Sequence, residues 1–217
     1  MTLETRSGEY PQRRTPLARL PRDERRAQLL ASALEVFVAN GYHGAAMDEI
    51  AEAAKVSKPV LYQHFPSKRE LYLALLDSHL ASLTQMLLVA LNSTTDNKLR
   101  VQATMKAYFQ FVANDDQAHR LVFESDLVND PEVAARLEKF NAEYANAIGE
   151  VIAEDTKLAP LEATLLGRAL AGMAQVSARY WLEANGDLDL EVASELVYRL
   201  AWRGISRFPK ETAGPGA

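Results

Sequence analysis

Residues 41–71 of this 217-residue chain read GYHGAAMDEIAEAAKVSKPVLYQHFPSKREL. Apolar side chains recur at helical spacing over 47–54, and the three residues that follow, Lys55–Ser57, form a tight turn. The serine that ends this turn can cap a second short helix, which tolerates Pro59 in its first turn. The stretch therefore predicts two short helices joined by a tight turn, which is the pattern of a helix-turn-helix.

The outward side of the second helix is polar and basic, while Leu61 and Phe65 provide its apolar inner side. In a helix-turn-helix the second helix enters the major groove of DNA, and neighbouring side chains bind phosphates. The residues suited to these tasks are Lys58, Tyr62, Gln63, His64 and Lys68. A helical scaffold that binds only other proteins has no use for them at this spacing, so double-stranded DNA is the predicted partner.

The rest of the chain also has helical periodicity, and no segment alternates as a strand would. A first helix begins near Arg22 and stops at Asn40-Gly41. Ser67 and Glu70 form a capping box that begins a long helix to about residue 91. Later helices are expected over 96–114, over 119–127, from Pro131, from Pro160 to about 185, and over 187–208. The prediction is an all-α protein of about nine helices.

Charge is divided unevenly along a chain whose net charge is −5. Residues 1–69 hold eleven Lys and Arg against eight Asp and Glu, whereas residues 70–217 hold thirteen against twenty-one. A basic front and an acidic rear suit a protein that meets an anionic partner with one end. The arginine-rich residues 1–20 are expected to form a disordered basic arm, which is either a solubilising tail or an arm that follows the DNA backbone.

Composition excludes several classes of protein. The absence of cysteine excludes disulfides and thiolate metal sites. The first 30 residues lack the apolar run of a signal peptide, and no membrane span is predicted, so a cytoplasmic protein is expected. There is no glycine-rich phosphate loop, nucleophile elbow or histidine-rich metal spacing, and Asp115, Asp116 and His119 suit a solvated loop better than a metal site. No enzyme activity, metal or cofactor is predicted.

The order and spacing of residues in the quoted stretch resemble the TetR family of one-component transcriptional regulators. The residues that carry the resemblance are Gly41-Tyr42, Ile50-Ala51, Ala54, Val56-Ser57, Leu61-Tyr62, His64-Phe65, Ser67-Lys68 and Leu71. It implies a helix-turn-helix domain over 21–66, an effector-binding and dimerisation bundle over 67–208 and a flexible tail over 209–217. It also implies a homodimer that binds a palindromic operator.

Individual DNA contacts follow from the resemblance. It implies that Tyr62, His64 and Lys68 bind phosphates and that Lys58, Pro59, Val60 and Gln63 approach base edges. Chemically, a lysine can donate to guanine O6 or N7, a glutamine can bond adenine or a phosphate, and valine and proline can pack on a thymine methyl. The turn residues Lys55 and Ser57 complete the predicted DNA-binding set.

Three positions depart from the usual pattern of that family. Ala46 stands where a threonine hydroxyl often caps the helix, so Gly44 or a backbone N–H must serve instead. Lys55 occupies a turn position that is usually glycine, and a left-handed lysine there costs about 1 kcal/mol. Val60 makes the contact at its position purely apolar.

A dimer interface is predicted on the last two long helices, through which the family dimerises. Small residues repeat there and allow close approach of helices, and large apolar residues follow on the last helix. The predicted interface residues are Ala163, Gly167, Ala171, Ala174, Leu196, Leu200 and Trp202. The alternative is that the small residues pack inside one subunit.

Aromatic and methionine side chains gather on the middle helices and permit a large apolar pocket, although a plain hydrophobic core gives the same pattern. Two polar residues are added as groups that orient a ligand, and the arginine among them is equally suited to a dimer salt bridge. The predicted effector-binding residues are Met86, Met105, Tyr108, Phe109, Val112, Phe123, Phe140, Tyr144, Gln175 and Arg179.

Two longer runs, one from LPRDERRAQLL through VLYQHF and one from STTDN to PEVAARL, look like a lipid-responsive subgroup that regulates fatty-acid synthesis. The resemblance implies that a long acyl-CoA enters a tunnel lined or gated by Phe123, Met105 and Phe109. The predicted function is a repressor that an apolar ligand releases from DNA, the alternative being a multidrug or xenobiotic-sensing repressor of an efflux or catabolic gene.

Overall fold

The computed structural model describes residues 20–114, 127, 129–184 and 187–204. These residues form eight α-helices and no strand, which confirms the all-α prediction for the part of the chain described. The helix expected over 119–127 lies almost wholly outside it. The helices are α1 Arg22–Gly44, α2 Met47–Ala53, α3 Lys58–His64, α4 Lys68–Leu91, α5 Asn97–Asn114, α6 Pro131–Asp155, α7 Pro160–Glu183 and α8 Leu190–Arg203.

Helix α1 is interrupted where the sequence predicts its end. Gly41 has φ 69° and ψ 170°, outside helical values, and only a short turn continues to Gly44. Glycine adopts a positive φ without the clash of a Cβ atom, which explains the break. The backbone N–H of Ala45 donates to the Gly41 carbonyl at 3.2 Å and closes this turn.

The turn between α2 and α3 depends on a left-handed lysine. Lys55 has φ 53°, and among the described residues no other residue except glycine has a positive φ. The turn is closed by Val56 N–H, which donates to the Ala51 carbonyl at 3.0 Å. The departure predicted at Lys55 is therefore confirmed, with a strain of about 1 kcal/mol. Buried Leu61 and Phe65 hold the inner side of the helix-turn-helix.

Side-chain caps set several helix starts. Ser67 Oγ accepts from Glu70 N–H at 3.1 Å, and Asp130 Oδ1 accepts from the N–H groups of residues 132 and 133 at 2.9 and 3.2 Å. Asp189 caps α8 in the same way, so that helix begins at Leu190 and the predicted start at 187 is wrong. Ser57 precedes α3 as predicted, but its side chain makes no capping bond.

Helix α4 packs against α1, α5 and α6 and so joins the helix-turn-helix to the rest of the bundle. It is also the one described helix long and apolar enough, at a mean hydropathy of 1.4, to cross a membrane. Nine of its side chains, including Leu71, Leu83 and Leu87, are buried inside the protein. Packing in the bundle therefore accounts for its apolar composition.

Two glycines let α6 and α7 cross closely, and this pair packs more extensively than any other two described helices. A Cβ atom on Gly167 would lie 2.2 Å from the carbonyl oxygen of Ala145, and one on Gly149 would lie 3.1 Å from Thr164 Cα. Ala163 and Ala174 are buried inside the same subunit. Ala163, Gly167 and Ala174 thus pack inside one subunit, which is the alternative to a dimer contact for these three residues.

Gly167→Ala is expected to destabilise the protein by about 2 kcal/mol or more, because the new methyl group would force the helix backbones apart. Gly44→Ala is the matched control. A Cβ there would lie 3.6 Å from Asn40 Cβ, an ordinary contact, and helix propensity favours alanine. Urea unfolding of both variants measures the difference, and equal free energies of unfolding would contradict the close crossing.

Candidate functional site

The predicted DNA-binding residues lie on the surface of α3 and on the turn before it, with Lys68 at the start of α4. Within the set, Val60, His64 and Lys68 are half-buried, and the others are exposed. Tyr62 is an exposed aromatic on this surface, with 46% of its area accessible. The exposed members are Lys55, Ser57, Lys58, Pro59, Tyr62 and Gln63.

Lys58 pairs with Asp48 of α2, with Nζ 2.5 Å from Oδ2. Both side chains are about 60% exposed, and exposed ion pairs are worth only about 0–1 kcal/mol. The ammonium can therefore leave Asp48 for a base edge or a phosphate at little cost.

Three arginines at the start of α1 extend the basic surface, and the sequence prediction omitted them from the DNA-binding set. Burial lowers the pKa of His64, and the positive charges of Arg22, Arg26 and Arg25 lower it further. The Arg26 guanidinium also lies 4.4 Å from the ring centre of Phe65. The run RDERR was visible in the sequence, but its proximity to His64 depends on how α1 packs on the helix-turn-helix.

Lys68 turns inward, toward the break in α1. Its ammonium donates to the carbonyls of Tyr42 at 2.8 Å, Ala45 at 2.9 Å and His43 at 3.3 Å, and lies 4.7 Å from the ring centre of Tyr42. An ammonium has three N–H donors, and here each has a carbonyl partner. The phosphate contact predicted for Lys68 is therefore not present in this conformation, because these carbonyls satisfy its donors.

The start of α2 compensates for the missing threonine. Ala46 N–H donates to Glu49 Oε2 at 3.1 Å, and Asn40 Nδ2 donates to the same oxygen at 3.2 Å. A side chain three residues into the helix thus satisfies the N–H that precedes it. The compensating group is the Glu49 carboxylate, and not Gly44 or a backbone N–H as predicted.

A cavity of about 380 Å³ lies at the end of the bundle remote from α3. Its wall is mainly apolar and comes from the ends of α4 and α8, the first half of α5, the second half of α6, and α7. By volume it has room for about a dozen groups the size of a water molecule or a methylene. The apolar wall includes Val101, Met105, Ile148, Val151, Ile152 and Leu170.

Polar side chains lie at one side of this cavity and bond one another. Asn97 Nδ2 donates to Asp155 Oδ2 at 2.6 Å, and Arg100 donates to Asn97 Oδ1 at 3.1 Å. The Arg100 guanidinium lies 3.8 Å from the same carboxylate, and its Nε donates to the Thr94 carbonyl at 2.7 Å. A single positive and a single negative side chain are thus held beside an apolar chamber.

The structure separates the predicted effector residues. Met105 and Tyr144 line the cavity, whereas Tyr108, Phe109, Val112 and Phe140 are buried but do not. Phe123 lies outside the described residues. Met86, Gln175 and Arg179 do not line this cavity: Met86 is on the solvent side of α4, Gln175 is half-buried elsewhere, and Arg179 pairs with Glu183 at the surface. Helical period alone did not reveal which side of each helix faces the chamber.

Comparison with known proteins gives a consistent result for the DNA-binding segment and for the whole chain. The sequence profile of the bacterial regulatory proteins, tetR family, matches residues 29–75. The chain is 47% identical over 191 residues to the HTH-type transcriptional activator FasR of Mycolicibacterium smegmatis. This alignment covers 88% of this chain and 87% of that protein.

Solved structures share the fold. A TetR-like transcriptional regulator from Rhodococcus sp. RHA1 is 25% identical with a TM-score of 0.70, covering 88% of this chain and all of the other. The regulator FadR from Bacillus subtilis, solved in complex with stearoyl-CoA, is 20% identical with a TM-score of 0.67, covering 82% of this chain and 98% of the other.

His64 is expected to make operator binding depend on pH. Burial and the arginines hold its pKa below 6.5 in the free protein, whereas a phosphate beside the ring would raise it in the complex. Affinity should therefore rise as pH falls through the pKa of the complex, and level off below the pKa of the free protein after a gain of about tenfold for each unit by which DNA raises the pKa. Anisotropy titrations of labelled operator DNA measure this.

His64→Gln keeps a hydrogen-bond donor but does not titrate, so this part of the pH dependence should vanish. His79→Gln, about three turns into α4, is the control and should behave as the wild type. Identical pH profiles for His64→Gln and the wild type would exclude the phosphate contact.

Proposed function

Because the chain belongs to the TetR family of bacterial regulatory proteins, we propose that this transcriptional regulator binds a palindromic operator as a homodimer and responds to a long-chain acyl thioester. The family supplies the class of function. The surface around α3 supports the DNA contact, and the apolar cavity carries the proposal for the effector.

Helix α3 offers side chains for direct reading of the major groove. Lys58 and Gln63 can bond base edges, and Pro59 can pack on a thymine methyl. We propose that Tyr62 and His64, together with the arginines at the start of α1, bind phosphates on either side. Lys68 acts as a positioning residue, because it holds the turn that precedes α2 without facing outward.

The dimer surface we propose is the outer side of α7 and α8. Leu165, Val176 and Tyr180 recur along α7 and are 67%, 59% and 72% exposed. Val192 and Leu196 continue the apolar surface on α8. A large exposed apolar patch on a soluble domain marks an interaction surface, and an isologous pair of such faces would bury it. Leu196 from the sequence prediction remains in this interface, whereas the buried residues Ala163, Gly167 and Ala174 do not.

The cavity supports an acyl chain as the effector. Its volume, about 380 Å³, suits a chain of about a dozen carbons better than a short acyl group. The adjacent Asn97, Arg100 and Asp155 offer donors and acceptors with no net charge, which suits the uncharged thioester and amide groups of an acyl-CoA. FadR from Bacillus subtilis, which has the same fold, was solved in complex with stearoyl-CoA.

We infer that the ligand lowers operator affinity by favouring a second conformation of the dimer. In that conformation the two copies of α3 no longer match the two half-sites of the operator. Helix α4 carries the change, since it runs from the cavity to Lys68, which only three residues separate from the end of α3. FasR of Mycolicibacterium smegmatis is an activator, so we propose activation as the sign of regulation. The repressor predicted from sequence is the competing outcome, which a promoter fusion with and without the regulator distinguishes.

The direct test is operator binding by anisotropy with DNA from beside the gene, titrated with acyl-CoAs of increasing chain length. Affinity should fall with long chains and stay unchanged with acetyl-CoA or free CoA. Ile148→Trp fills the cavity and should abolish the response while leaving ligand-free affinity unchanged. Met86→Trp, on the surface, is the matched control and should keep the response.

Two results would contradict this proposal. A response to acyl chains that persists in Ile148→Trp would place the effector elsewhere. If the protein binds no DNA beside its gene, even at low salt, the regulator assignment for that locus would be removed.

A further inference from the structure

Two neighbouring residues in the first turn of α4 hold opposite parts of the protein. Lys68 binds the carbonyls of the turn between α1 and α2. Arg69 points the other way and binds Asp130 and Glu132 at the start of α6. Its Nη2 lies 3.0 and 3.1 Å from the two oxygens of Asp130, and its Nη1 lies 2.5 Å from Glu132 Oε2.

The partners of Arg69 are the groups that fix the start of α6. Asp130 Oδ1 accepts the N–H groups of Glu132 and Val133 and so caps the helix. The guanidinium binds both oxygens of that capping carboxylate, an arrangement with defined geometry as well as charge. A displacement of the first turn of α6 therefore pulls directly on Arg69.

Helix α6 is tied to α4 at a second level. Arg136 Nε donates to Asp77 Oδ1 at 2.8 Å, and its Nη1 donates to Glu132 Oε1 at 2.9 Å. Asp77 lies eight residues beyond Arg69, or about 12 Å along the helix. Because both Arg69 and Arg136 link the two helices, we expect the start of α6 and the first half of α4 to move together.

The far half of α6 forms a wall of the cavity through Tyr144, Ile148, Val151 and Ile152. One rigid helix thus joins the chamber to the pair formed by Arg69 and Asp130. We propose that Arg69 is the positioning residue that couples the effector cavity to the DNA-binding helices, through Asp130 on one side and the neighbouring Lys68 on the other. This inference rests on the proposed function, since it concerns how that ligand changes DNA binding.

The test is Arg69→Gln in the full chain, with palmitoyl-CoA as ligand. Arg69 is exposed and lies outside the DNA-binding set, so ligand-free operator affinity should stay within about threefold of the wild type. The ratio of operator Kd with and without palmitoyl-CoA, typically about 5 to 150 in coupled systems, should fall to near one. Arg69→Lys keeps the charge without the two-pronged geometry and should give an intermediate ratio.

Arg168→Gln is the matched control. It removes another exposed arginine that pairs with α6, at 3.3 Å from Glu138 Oε1, and the ratio should stay at the wild-type value. A wild-type ratio in Arg69→Gln would overturn the proposal, and so would an equal loss of the ratio in Arg168→Gln.

Hydrogen exchange separates failure of this inference from failure of the proposed ligand. If no acyl-CoA alters wild-type operator binding, the effector assignment fails, and the coupling is judged without ligand. Arg69→Gln should then speed exchange at the amides of both α6 residues 132–133 and the turn residues 45–46, relative to the wild type and Arg168→Gln. Faster exchange confined to α6, or no change at either place, would overturn the role of Arg69.

Discussion

The ammonium of Lys68 in the broken end of α1 is the contact on which the arrangement of the DNA-binding helices depends. Because Gly41 leaves the helical conformation, carbonyls of the next residues lack intrahelical partners at the negative end of the helix dipole. Lys68 supplies both hydrogen bonds and positive charge there. It belongs to the first turn of α4, which follows α3 after three residues. The Lys68 side chain thus joins the turn before α2 to the first turn of α4. Helix α3, which is predicted to enter the major groove, lies between these two points in the chain.

This constraint organises the charge of the molecule. With Lys68 facing inward, the outward basic groups are those of α3, the turn at Lys55 and the start of α1, while the acidic residues predominate in the rest of the chain. The next residue, Arg69, binds the acidic start of α6. The first turn of α4 therefore contacts the helix-turn-helix on one side and the start of α6 on the other, so a movement of α4 would displace both.

Much of the fold could be predicted from the sequence because local signals determine it. Glycine at 41, capping side chains and apolar period locate the helices, and the left-handed turn at Lys55 follows from its place in the motif. The contacts of each helix face were harder to predict, because a period of 3.6 residues does not identify which neighbouring helix a given face packs against. Gly167 of α7, for example, packs against the Ala145 carbonyl of α6, a contact inside one subunit that its spacing alone does not distinguish from a dimer contact. Arg100 was missed because only the tertiary fold, which brings the start of α5 to the end of α6, places it beside Asp155.

Salt dependence of operator binding tests the inward role of Lys68 most directly. Each phosphate contact contributes about −0.9 to the slope of log K against log salt on B-DNA. Lys68→Met should weaken binding at every salt concentration, because the helix-turn-helix is no longer held in place, yet leave the slope equal to that of the wild type. A slope smaller in magnitude by about 0.9 would show that Lys68 binds a phosphate directly and would contradict this account.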